Sequence, residues 1–182
     1  LAWLKATRPC ELLVGIELFA EAAGEARSHA DHIECGDAEA ILERVGARGP
    51  YDLVLCLDVL EHLVDPWQFV ARVEKLLAPG GSLVISVPNV RHYRVSLPLL
   101  LLGRWRYESA GVLDRTHLRF FTREGARQLL DSPALQAARC RASRPPRGSG
   151  SWLANLMSAG LLSDLFAVQY MLAAQKRADA IP

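Results

Sequence analysis

Apolar positions along this chain cluster into short runs, and the stretches between them carry apolar residues at helical spacing. "LAWLKA", at the start, reads as the end of a helix, and "ELLVGIE" (Glu11–Glu17) is an apolar run of strand length. Phe19, Ala22, Ala23, Ala26 and Ala30 then recur at helical spacing with charge between them. "DHIEC" predicts a short strand. "GDAEAILERVGA" predicts a helix with Ile41, Leu42 and Val45 on its apolar face and Asp37 as its cap.

"DLVLCLD" (Asp52–Asp58) is nearly all apolar, the pattern of a strand covered on both faces in a parallel sheet. Asp65-Pro66 supplies an N-cap followed by proline at the first helical position. The helix it opens presents Trp67, Val70, Val73, Leu76 and Leu77 to a core, Pro79-Gly80-Gly81 stops it, and "SLVISVPN" is a further buried strand. Strand and helix alternate with short connections, which predicts an open α/β sheet with parallel strands.

The pattern changes after Asn89. Residues 90–121 form an insertion, partly helical and rich in arginine and aromatics; its "VSLPLLLL" reads as a lid helix or a subunit contact, compatible with a homodimer. Thr122 caps a helix through Leu130, "ALQAARCRA" is an edge strand, "SRPPRGSGS" a flexible loop, "WLANLMSAGLL" a helix and "LFAVQYMLAAQKR" a last strand. With 182 residues, the chain from 1 to 182 suits one domain with a single core.

Composition narrows the function classes. Half-apolar content and 23% charged residues describe a folded chain, and a net charge of +1 gives no field that would draw nucleic acid. The longest apolar block, Val95–Leu102, is interrupted by Pro98 and falls well short of the ~20 residues of a membrane span. The four cysteines form no CxxC pair, so neither a zinc nor a disulfide framework is readable, and a reducing cytoplasmic setting is expected.

In an open parallel sheet, ligands bind beyond the carboxyl ends of the strands. Glu17 ends the first visible strand, where a carboxylate can accept hydrogen bonds from a ribose diol; Asp37 follows the second, where it can accept one from an adenine amine. Asp58 to His62 follow the third and Pro88-Asn89 the fourth. Asp58 and His62 are four apart, but no third ligand stands at matching spacing and no H-E-x-x-H is present, so no metal site is expected.

"GIE" (Gly15–Glu17), "GDAE" (Gly36–Glu39), "YDLVLCLDVLEHLVDP" and "LLAPGGSLVISVPN" together resemble the class I S-adenosylmethionine-dependent methyltransferases. "DRTHLRFFT" (Asp114–Thr122) resembles a subgroup associated with polysaccharide and glycosyl-transfer pathways. The resemblance implies a Rossmann-like, mostly parallel seven-stranded sheet of order 3-2-1-4-5-7-6, with helices on both faces and strand 7 antiparallel. It implies S-adenosylmethionine as cofactor, with Glu17 on the ribose, Asp37 on the adenine amine, Ala38 beside the ring, and Asp58, Val59 and Leu60 along the methionine end. The acceptor is then a small molecule, a sugar or glycoconjugate precursor. The family's first strand and its D-x-G-x-G turn have no counterpart here and are expected upstream of Leu1.

Methyl transfer is an in-line displacement that rests on positioning, and a hydroxyl acceptor gains from a base of near-neutral pKa. His117, oriented by Asp114, is the candidate base, and buttressing of the loop is its competing role. Arg115 and Arg119 suit an anionic group on the substrate, and Trp105 and Tyr107 suit stacking on an acceptor. Two rival readings remain. An acid after the second strand also suits an NAD-dependent oxidoreductase, and the missing glycine-rich turn suits a non-catalytic domain that binds or scaffolds a partner.

Overall fold

The computed structural model describes residues 2–7, 10–136 and 139–178, which divide into two units, Leu1–Pro50 and Tyr51–Pro182. Leu1, Ala137 and Ala138, which belong to the expected first helix and edge strand, lie outside the described residues.

The first unit contains α1 (Ala2–Thr7), β1 (Val14–Glu17), α2 (Ala20–Ala26), β2 (His32–Cys35) and α3 (Ala38–Gly46). β1 and β2 run parallel, in register from Val14 opposite His32 to Glu17 opposite Cys35, so their carboxyl ends lie side by side. Ala23, Ala30, Ile41, Leu42 and Val45 make the small core. Asp37 starts α3 as expected, its carboxylate accepting from the backbone N–H groups of Glu39 (2.7 Å) and Ala40 (3.4 Å). Ahead of β2, Asp31 accepts from the Leu13 N–H (2.8 Å) and from the Lys5 ammonium (3.4 Å). Chiefly because of that backbone bond, the Asp31 carboxyl titrates below its ordinary value.

The second unit opens with β3 (Tyr51–Leu57), a 3-10 turn (Leu60–His62), α4 (Pro66–Leu76) and β4 (Leu77–Pro88). It continues through α5 (Tyr93–Leu102), α6 (Arg123–Gln128), β5 (Arg139–Ala142), α7 (Gly150–Met157), α8 (Ser163–Phe166) and β6 (Gln169–Gln175). The strands lie in the order β3-β4-β6-β5, with β3 parallel to β4 and β6 antiparallel to both of its neighbours. Alternate residues of the two central strands, Leu83, Ile85 and Val87 on one and Tyr170, Leu172 and Ala174 on the other, form the centre of the core. Lys176 is almost fully buried, yet its ammonium donates to the carbonyls of Glu74 (3.1 Å) and Leu77 (2.9 Å) and so closes the end of α4.

The described residues form six strands in two sheets, β1–β2 and β3–β4–β6–β5, in a chain whose sequence has no counterpart of the family's first strand. Several other expectations are corrected. β3 is not covered on both faces: Leu53, Leu55 and Leu57, which share one of them, are each more than a third exposed. Pro79-Gly80-Gly81 does not separate helix from strand, since β4 starts at Leu77 and the three residues form a bulge within it, between the Tyr51–Leu77 and Leu53–Ser82 pairings. Gly81 is required there because a Cβ would stand 2.8 Å from the Tyr51 carbonyl oxygen. Trp67 is half exposed; Phe69, Val70 and Val73 form the buried face of α4.

The insertion closes on itself, because the Val90 N–H donates to the Phe121 carbonyl (3.0 Å) beside an Asn89–Phe121 bridge. Between these ends α5 carries Pro98 and stops at Gly103 (φ 61°), leaving Leu100 80% exposed. Among the described residues, no helix is long and apolar enough to cross a membrane.

Candidate active site

The parallel β3–β4 pair delivers two chain segments to its carboxyl end, and the returning insertion meets them there. Asp58 follows β3 with a left-handed backbone (φ 53°), a conformation that costs energy for a residue with a side chain. Its surroundings hold it. The Asp58 N–H donates to Ser86 Oγ (3.0 Å), the Ser86 hydroxyl donates to Asp58 Oδ1 (3.1 Å), and the Gln169 amide donates to the same oxygen. Three adjacent strands thereby fix one carboxylate.

The 3-10 turn that follows points Glu61 inward. Its side chain is 1% exposed, and neither carboxylate oxygen has a hydrogen-bond partner. Burial, and to a lesser degree the nearby Asp58 charge, push its carboxyl up to about 7. The Glu61 carbonyl meanwhile accepts from the N–H groups of Leu118 (2.8 Å) and Arg119 (3.0 Å), which binds the turn to the insertion's return segment.

That segment carries His117, itself buried. Its Nδ1 lies 3.0 Å from the Val112 carbonyl oxygen, which only accepts, so Nδ1 carries a proton and, in the neutral ring, Nε2 the lone pair. Nε2 faces Glu61 Oε1 at 4.0 Å. The exposed His62 repeats the arrangement with Nδ1 3.2 Å from the Thr116 carbonyl, and its ring meets that of His117 edge-on at 4.8 Å between centroids. Asp58, Glu61, His62, His117, Val168 and Gln169 line an open cleft of about 360 Å³. A larger cleft, about 920 Å³, runs along Cys140–Pro145 and Trp152, but its Arg123 is already paired with Asp164 and it holds no unpaired acid.

The sequence candidates distribute unevenly over this geometry. Glu17 and Asp37 end and follow the two parallel strands of the first unit, with Ala38 opening α3. Asp58 and Val59 stand at the cleft end of β3, whereas the Leu60 side chain is completely buried and leaves only its backbone for a ligand. Asp114 does not meet the His117 ring. It accepts from the Thr116 N–H (2.8 Å) and hydroxyl (2.6 Å), which hold its carboxyl below its ordinary value, and the ring is oriented by Val112. Arg119 donates to the Val64 carbonyl and anchors the loop, while Arg115 is exposed. Trp105 packs edge-on against Phe120 (5.0 Å) and Tyr107 (6.5 Å), so these two aromatics form a cluster of the insertion.

Glu61, His62 and His117 each bring one potential metal-ligating atom within 4.8 Å of the others, a grouping that sequence spacing did not show. Sequence reasoning singled out none of Glu61, Ser86 and Gln169 as a site residue. An acid between Leu60 and Leu63, both buried, was the available signal for Glu61; nothing local marks Gln169, which lies 111 residues from Asp58.

With the geometry established, comparison with known proteins identifies its relatives. The sequence family described as "Methyltransferase domain" matches residues 1–132. A ubiquinone biosynthesis O-methyltransferase of Burkholderia pseudomallei is 32% identical over 130 residues, covering 64% of this chain and 55% of the relative. One from Caulobacter sp. is 41% identical over 59 residues, covering 31% of this chain and 23% of the relative. The chain thus spans from under a quarter to about half of these curated relatives. Among solved structures, a SAM-dependent methyltransferase from Archaeoglobus fulgidus superposes with a TM-score of 0.58 at 16% identity, covering 90% of this chain and 75% of that one. A plantazolicin methyltransferase in complex with a monoazolic desmethylPZN analog and SAH gives 0.62 at 17% identity and covers 96% and 70%. At these identities the likeness is one of fold, Rossmann-like with a mixed sheet and helices.

Proposed function

Because this chain belongs to the methyltransferase-domain family, we propose that it transfers a methyl group from S-adenosylmethionine to a hydroxyl oxygen of a small-molecule acceptor. The observation that carries this reading is His117 at the carboxyl end of the β3–β4 pair, with Nδ1 held by Val112 and the Nε2 lone pair turned toward buried Glu61. In the proposed step the acceptor's O–H bond breaks and its proton passes to His117 Nε2. S-adenosylmethionine, held by the residues named below, would supply the methyl group to the acceptor oxygen's lone pair and leave as the neutral thioether. The Glu61 carboxylate stabilises the imidazolium that results.

The reading assigns Glu17 to the ribose hydroxyls, Asp37 with Ala38 to the adenine, and Asp58, Val59 and the Leu60 backbone to the methionine end. Arg115 stays as a substrate-side cation. Asp114 holds the His117 loop through Thr116 and acts as a positioning residue. The order 3-2-1-4-5-7-6 belongs to the same reading; the pairings β2–β1 and β3–β4–β6–β5 support its runs 3-2 and 4-5-7-6. The relatives are named O-methyltransferases, which favours a hydroxyl acceptor, whereas nothing in their names favours the sugar or glycoconjugate expected from the resemblance.

Calorimetric titration of the full chain with S-adenosylhomocysteine and with NAD tests the cofactor. Binding of the first alone is expected, and binding of NAD alone overturns the reading. Assayed over a panel of hydroxyl acceptors, His117→Ala lowers turnover by roughly 100-fold and leaves S-adenosylhomocysteine affinity unchanged. Unaltered turnover removes His117 from the chemistry.

A further inference from the structure

We propose that Glu61, His62 and His117 form a binding site for one divalent first-row transition-metal ion. One ligand atom from each of the three residues lies within 4.8 Å of the others. Ligands of a tetrahedral ion held at about 2.1 Å stand about 3.4 Å apart, so closure needs a movement of about 1.4 Å, within the reach of side-chain rotation.

Three features beyond proximity point to a cation. Glu61 is almost fully buried with both oxygens unpartnered, a costly state for a carboxylate unless a positive charge answers it. His117 Nε2 faces that carboxylate at 4.0 Å, beyond hydrogen-bonding distance, so the two groups stand together without satisfying one another. Both imidazoles, moreover, donate Nδ1–H to a backbone carbonyl, Val112 for His117 and Thr116 for His62. This support commonly orients metal-binding histidines and raises their basicity.

The backbone holds the ligand-bearing segments together independently of any ion, because the Leu118 and Arg119 N–H groups donate to the Glu61 carbonyl. Exposed His62 gives a path for entry and leaves coordination positions open to the cleft. Two imidazole nitrogens and one carboxylate select ions such as Zn2+, Co2+, Mn2+ or Fe2+ over Ca2+ and Mg2+, which take mostly oxygen ligands. Resting on the methyl-transfer reading is one consequence: a loaded ion would acidify an acceptor hydroxyl by binding its oxygen, with His117 as ligand instead of base.

The test uses the full chain, freed of any affinity tag and stripped with chelator, titrated with Co2+ while the visible d–d absorption is recorded. One Co2+ per chain is expected, displaced stoichiometrically by Zn2+. His62→Ala, at an exposed position that leaves the core intact, and His117→Ala each weaken Co2+ binding by more than about tenfold, whereas His29→Ala leaves it unchanged. Absence of saturable Co2+ absorption, or affinity unaltered by both His62→Ala and His117→Ala, overturns the proposal. No methyl donor or acceptor is present in this titration, so its outcome is independent of whether the chain methylates anything.

Discussion

Asp37 and Asp58 occupy equivalent places, each just past the carboxyl end of a parallel strand, yet they are held in opposite ways. Asp37 is exposed and engaged within its own turn, bonding N–H groups two and three residues ahead. Asp58 adopts a left-handed backbone and is held by Ser86, 28 residues away, and Gln169, 111 residues away. Next to Asp58 lies the unpaired, buried Glu61, which has no counterpart in the contacts around Asp37. A capped strand end is a solution to a local backbone problem. A strand end fixed from three strands, with an unsatisfied acid beside it, carries a cost that stability alone does not explain, and such costs collect at functional sites.

Three perturbations separate these two kinds of acid. The largest effect is expected at Glu61. Replacing it by methionine removes an unpartnered buried carboxylate and, in chelator-treated protein, raises the unfolding free energy by roughly 1–3 kcal/mol in urea titrations. A loss of stability instead would mean that Glu61 contributes as much to the fold as Asp37 does, and the contrast would collapse. Next comes Asp37→Ala, which loses the α3 cap and lowers stability by about 1 kcal/mol in the same measurement.

The smallest effect concerns Asp31, the other locally bonded acid of the first unit. Its folded pKa lies below the unfolded value of about 3.9, so its contribution is complete above that pH and disappears as pH falls through the folded pKa. Thermal melts of Asp31→Asn should therefore be less stable than wild type at neutral pH and converge with it in acid. A difference independent of pH would contradict the assignment.

The same division between near and distant contacts explains what could be read from the sequence. Asp37, Asp65 and Thr122 declare themselves as caps because their partners are two or three residues ahead, and all three cap helices in the structure. β3 is legible as a strand but not as one with an open face, since its apolar run is the same whether or not another element packs over Leu53, Leu55 and Leu57. Pro79-Gly80-Gly81 is a turn signal by composition, and only the approach of the Tyr51 carbonyl to Gly81 turns it into a bulge. His117 was identifiable by its polar setting, but its partner was not. Asp114, three residues before it, is captured by Thr116, and the carboxylate that faces it comes from Glu61 on another segment.

The place of β6 has a consequence for how the molecule is made. β6 follows β5 in the chain but lies between β4 and β5, and its first residue, Gln169, supplies one of the bonds on Asp58. During synthesis β5 can find no native partner, and Asp58 lacks its full set of contacts, until residues 169–175 have left the ribosome. Up to that moment β4 presents an open apolar edge, so the nascent chain passes its most adhesive stage just before the cleft can form.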